Sequence, residues 1–121
     1  MSSIESKFNL AVKEGNLIQF LRGIYNNFGE TALMIATRYD KINVLENIIK
    51  AGASLDIQDI GRNTALIKSV QYDQIDKCEC LIKAGASIDI QNNRNINNGM
   101  LYYTDNIIQP AHMNILFSTY E

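Results

Sequence analysis

The chain has 121 residues, a formal net charge of −2 and 46% hydrophobic residues, enough for one small globular unit. The mildly acidic balance argues against a general nucleic-acid binder, which needs a basic face. No run of about 20 apolar residues is present to span a membrane, and Met1-Ser2-Ser3-Ile4-Glu5-Ser6-Lys7 lacks the apolar core of a signal peptide.

Residues 4–24 read as a shortened helical pair. Phe8, Ala11, Gly15 and Leu17 match Leu33, Ala36, Asp40 and Ile42 further along the chain. A first helix is predicted over Ser3 to Lys13, with Ser2 or Ser3 as its N-cap. Gly15 supplies the positive φ needed to leave it. Gly23 falls in an aliphatic slot and is expected to weaken the second helix by up to about 1 kcal/mol relative to alanine. That helix then runs almost directly into Tyr25-Asn26-Asn27-Phe28.

From there the chain repeats itself at an interval of 33 residues. Thr31-Ala32-Leu33 returns as Thr64-Ala65-Leu66, Tyr39-Asp40 as Tyr72-Asp73, and Ile42 as Ile75. Ile49-Lys50-Ala51-Gly52-Ala53-Ser54 returns as Ile82-Lys83-Ala84-Gly85-Ala86-Ser87, and Asp56-Ile57-Gln58 as Asp89-Ile90-Gln91. This period belongs to a β-turn plus two helices. The first helix of each unit is predicted over Thr31 to Arg38 and Thr64 to Gln71, each opened by a threonine hydroxyl. The second is predicted over Ile42 to Lys50 and Ile75 to Lys83. Asp40 and Asp73, between the helices, are expected in the left-handed conformation that aspartate tolerates. Gly52 and Gly85 are expected to end the second helices as left-handed caps. Leu33, Ala36, Ile42, Leu45, Ile48 and Ile49 recur at helical spacing and form the core. Leu55, Ile57, Ile88 and Ile90 alternate, so one side of each outward turn packs inward.

Cys78 and Cys80 sit two apart, about 200° around a helix, and point away from each other. Cys78 takes the core slot of Leu45 and is read as a small hydrophobe. Unbridged thiols and the lack of a signal sequence point to the cytoplasm. Beyond Asn93 the pattern degrades, and Asn92-Asn93-Arg94-Asn95-Ile96-Asn97-Asn98-Gly99 reads as a polar, turn-rich stretch. Met113, Leu116, Phe117 and Tyr120 then form an apolar stripe, read as a divergent C-terminal cap.

These residues closely resemble the ankyrin-repeat family. The second unit matches its pattern at Asn26, Gly29, Thr31-Ala32-Leu33-Met34, Ala36 and Gly52-Ala53-Ser54-Leu55-Asp56. The third matches at Asp59, Thr64-Ala65-Leu66-Ile67 and Gly85-Ala86-Ser87-Ile88-Asp89. The resemblance implies an all-α solenoid of stacked helix-turn-helix units. Its parts would be an N-terminal capping repeat (1–25), full repeats (26–58 and 59–91) and a C-terminal cap (92–121). Arg62 replaces the turn glycine represented by Gly29, which leaves that turn's conformation open.

No catalytic constellation stands out. His112 is the sole histidine, and no phosphate loop, paired carboxylates or metal-ligand cluster accompanies it, so no enzyme and no cofactor are expected. The resemblance implies a protein-binding groove. It carries over contact slots at Lys13, Glu14, Asn27, Phe28, Glu30, Arg38, Tyr39, Ile60, Arg62, Asn63, Gln71 and Tyr72. Tyr39 and Tyr72 occupy equivalent slots and are expected side by side on the groove, offering large contact area with little entropy loss. The leading reading is a small intracellular adaptor or inhibitor that binds another protein. The alternatives are an antagonist of an enzyme or toxin, and a self-associating structural protein forming a homodimer through its C-terminal segment. Neither nucleic acid nor membrane is an expected partner.

Overall fold

The computed structural model describes residues 3–94. The C-terminal stripe and the homodimer segment lie outside the described residues. Among the described residues the secondary structure is entirely helical: α1 (Ile4–Glu14), α2 (Leu17–Arg22), α3 (Ala32–Tyr39), α4 (Ile42–Lys50), α5 (Ala65–Gln71) and α6 (Ile75–Ala84). The helices pair as α1 with α2, α3 with α4, and α5 with α6. The pairs then stack through α1 on α3, α3 on α5 and α4 on α6.

Each helix that begins a pair starts on a hydroxyl. Ser3 Oγ accepts from the N–H of Ser6, Thr31 Oγ1 from Met34 and Thr64 Oγ1 from Ile67. Each bond satisfies one of the donors that a helix start leaves open. The threonines stand outside the helices they open, so α3 and α5 begin one residue later than expected. The core holds Leu33, Ala36, Leu45 and Ile48 of the predicted aliphatic set, while Ile42 and Ile49 are partly buried against it. Leu45, Ile48, Leu66, Ile67 and Leu81 are fully buried, and Ala36 leaves room for close helix approach. Leu55 and Ile57 pack against this core from the outward turn.

Four helices end in the same way. A residue with positive φ follows the helix, and the next N–H reaches back five residues. The left-handed residues are Gly15 (φ 73°), Gly52 (101°), Asp73 (59°) and Gly85 (104°). The closing bonds run from Asn16 N–H to Ala11 O, Ala53 to Ile48, Gln74 to Ser69 and Ala86 to Leu81. Gly52 and Gly85 thus share one backbone setting, as the repeat requires.

Asp40 does not follow its counterpart Asp73. It is extended (φ −102°, ψ 169°). The reason is Lys77, which comes from α6 and is 4% exposed. Its Nζ donates to the carbonyls of Ala36 (3.3 Å) and Thr37 (3.1 Å). The equivalent carbonyls of Ser69 and Val70 are served by Gln74 and Asp73 N–H. A side chain from the next unit therefore helps to finish α3, alongside the Asp40 N–H that bonds to the Ala36 carbonyl at 3.1 Å, and the left-handed turn is dispensable there.

Gly23 also departs from expectation. It lies past the end of α2 in extended backbone (φ −68°, ψ 154°), so it does not weaken a helix interior. The Tyr25 ring lies over it, and a Cβ there would come within 3.0 Å of the Tyr25 hydroxyl.

Arg62 adopts φ 63°, close to the 76° of Gly29. The two turns share a conformation, and the arginine bears the strain of a β-carbon in left-handed backbone. Arg62→Gly relieves that strain, and glycine's extra unfolded-state entropy offsets part of the gain. A net stabilisation of about 0.5 kcal/mol is expected, read as a higher urea midpoint at unchanged m.

Candidate protein-binding cleft

The turn tips are built by one device, complete at Asn26 and Asp59 and begun again at Asn92. An Asx side chain accepts from N–H groups two and four residues on, folding the chain back on itself. Asn26 Oδ1 accepts from Phe28 (3.0 Å) and Glu30 (3.2 Å), and Asp59 Oδ1 from Gly61 (3.0 Å) and Asn63 (2.8 Å). Asn92 Oδ1 accepts from Arg94 (2.9 Å). Backbone bonds lock each tip to the next: Ile60 N–H to Phe28 O and Asn93 N–H to Gly61 O, both 3.0 Å. The tips are therefore a rigid row, and their exposed side chains are held at fixed spacing.

Between tips and helices lie two adjoining hollows. The first, of about 420 Å³, is lined among others by Phe28, Arg38, Ile60 and Lys68. The second, of about 510 Å³, is lined among others by Gln71, Asn92, Asn93 and Arg94. They share Gly61, Asn63 and Tyr72.

Arg38 joins the two tyrosines. Its guanidinium carbon lies 4.4 Å from the Tyr39 ring centre and 5.3 Å from that of Tyr72. Its Nη1 donates to the Tyr72 hydroxyl at 3.0 Å. The two rings are expected side by side, and the structure brings the guanidinium within cation–π reach of both. Tyr39 is 68% exposed and Tyr72 43%, while Phe28 (60%) and Ile60 (68%) stand out at the lip. Asn27 and Arg62 are exposed on the tips, and Gln71 at the end of α5. Lys13 and Glu14 are exposed at the end of α1. Neither lines the two hollows described here, and Glu14 borders a separate depression with Lys7, Leu10 and Phe20.

Glu30 is corrected by the structure. It was expected at the surface, and it is fully buried. The Asn26 turn folds it inward, where Oε1 accepts from Asn26 Nδ2 (2.8 Å) and Oε2 lies 3.1 Å from Lys68 Nζ. Lys68 also meets Asp59 Oδ2 at 2.7 Å, and Arg38 Nη2 meets Glu30 Oε1 at 3.4 Å. This ionic cluster beneath the cleft ties the second unit to the third. Sequence reasoning missed Lys68 because it occupies the slot of Ile35, an aliphatic place. The one available signal was a lysine inside the apolar run Leu66 to Val70.

The cysteines behave as core and flank. Neither forms a disulfide. Burial pushes the Cys78 thiol up to about 12, which keeps it protonated and unreactive near neutrality. Cys80 borders a groove with Ile42, Ile75 and Glu79 on α4 and α6. Among the described residues no three His, Cys, Asp or Glu side chains gather as a metal site would require, and no helix is long and apolar enough to cross a membrane.

The family model for ankyrin repeats, in three copies, matches residues 8–92. This chain belongs to the ankyrin-repeat family. Members are generally protein–protein interaction modules and typically non-catalytic. No curated protein matches the chain.

Proposed function

We propose that this chain is a cytoplasmic adaptor or inhibitor, and that it holds a segment of a partner protein on the cleft between the turn tips and α3 and α5. The observation that carries this reading is the Tyr39–Arg38–Tyr72 cluster beside the exposed Phe28 and Ile60. Tyrosine and arginine dominate the energetics of protein interfaces. Here their rotamers are already restrained by contact with one another, which lowers the entropy lost on docking. Asn27, Arg62, Asn63 and Gln71 supply a polar rim around these anchors.

The test is Tyr39→Ala combined with Tyr72→Ala, with helicity followed by circular dichroism. A partner captured from native lysate is expected to lose affinity roughly a hundredfold or more, the size of two hot-spot truncations. Undiminished affinity in a fully helical double variant overturns the assignment. If the captured partner is an enzyme, its activity in the presence of the chain distinguishes inhibitor from adaptor.

A further inference from the structure

On the footing of that binding reading, we propose that the docked segment is an extended acidic peptide, that it sets a carboxylate beside an apolar side chain, and that Arg38 receives the carboxylate. The argument begins with charge. The charged residues lining the two hollows are Glu30, Arg38, Asp59, Lys68 and Arg94. Glu30 and Asp59 are buried, and Lys68, also buried, is bonded to both. Those three are closed on one another below the surface. The charges that reach the surface are Arg38, whose side chain is 21% exposed, and the exposed Arg94. Arg62 stands exposed on the turn between them. Among the described residues lining the cleft, every surface charge is positive, although the chain as a whole carries −2. A carboxylate is the complement.

Arg38 is shaped for one. Its two Nη atoms carry four hydrogens, and Tyr72 and Glu30 engage one on each. The remaining Nη hydrogens are left for a second acceptor. The ring contacts and the bond to the Tyr72 hydroxyl restrain the guanidinium, and its partial burial strengthens a charge-assisted bond. Phe28 and Ile60, locked together through their backbones, form the apolar anchor at the lip. That pairing favours a peptide over a nucleic acid. A phosphodiester chain brings a charge at every step and needs a run of accessible cations.

The test is selection of a randomised peptide display library on the full chain. The best binder is then titrated calorimetrically, both as selected and with its acid converted to the amide. Enriched peptides are expected to carry aspartate or glutamate next to an apolar residue. Amidation is expected to weaken binding roughly tenfold. Arg38→Gln is expected to weaken the acidic peptide roughly tenfold more than the amidated one, a coupling that loss of the tyrosine contacts alone does not give, with circular dichroism confirming that the variant is folded; equal weakening of both peptides overturns the carboxylate. Enrichment without acids, or an amidation that changes nothing while Phe28→Ala destroys binding, overturns the carboxylate and leaves the cleft standing. Binding indifferent to Tyr39→Ala with Tyr72→Ala and to Phe28→Ala overturns the cleft itself. Arg38-dependent binding of a fluorescein-labelled oligothymidylate, in place of acidic peptides, overturns the peptide assignment.

Discussion

Lys68→Met is expected to destabilise the fold by about 3–5 kcal/mol, the usual result of removing one partner from a buried ionic cluster. The ammonium lies 3.1 Å from Glu30 and 2.7 Å from Asp59, and all three residues are buried. Methionine keeps the stem and removes the charge, leaving two carboxylates out of water. Arg38 reaches just one of them, at 3.4 Å. A small domain holds about 5–15 kcal/mol in total, so the loss is a large share. Adding Glu30→Gln and Asp59→Asn is expected to restore most of it. The amide at position 59 can still make the turn, because Asn26 and Asn92 build equivalent turns through Oδ1. Urea unfolding followed by circular dichroism decides. A Lys68→Met variant within about 1 kcal/mol of the parent would show that the cluster contributes nothing net, as some buried ion pairs do.

The same cluster gives an alkaline signature. Burial by itself pulls the Lys68 ammonium down, but the bonds to Asp59 and Glu30 outweigh it and hold the group above its ordinary 10.5. The folded state therefore keeps this proton more tightly than the unfolded chain does. Its contribution is complete below pH 10.5 and fades as pH rises through the raised folded value. The triple variant lacks this titration, and its stability is expected to fall less over that alkaline range.

Leu66→Ala is the second large effect, about 3–5 kcal/mol, from lost burial plus the cavity left behind. Leu66 is 0% exposed on α5, which packs against both α3 and α6. In a stack each unit touches its neighbours alone, so damage is local in origin. Hydrogen exchange is expected to accelerate in α5 and α6 before α3 and α4. Uniform acceleration across all four would mean that the units do not open separately.

The helices were legible because the repeat compares the chain with itself. Most aliphatic slots of α3 and α4 are filled again by apolar residues in α5 and α6, and the capping threonines and glycines recur in step. What escaped legibility breaks that step. Glu30 is matched by Asn63 and Lys68 by Ile35, so aligning one unit on the next conceals that the two charges meet. Lys77 stands in the slot of Val44, and its bond to α3 overrides the left-handed turn expected at Asp40. The Tyr39 and Tyr72 positions were readable as equivalents. The contact of Arg38 with both tyrosines was not, because it depends on side-chain reach across the units and not on register.

Lys77 has a consequence for how such a chain can be cut and recombined. It belongs to one unit and helps to complete a helix of the unit before it. Transplanting residues 26–58 alone into a foreign array would carry a truncated terminus whose carbonyls lack their ammonium. The smallest portable block is thus the pair of units together, and recombination that respects the 33-residue period would still sever a working part.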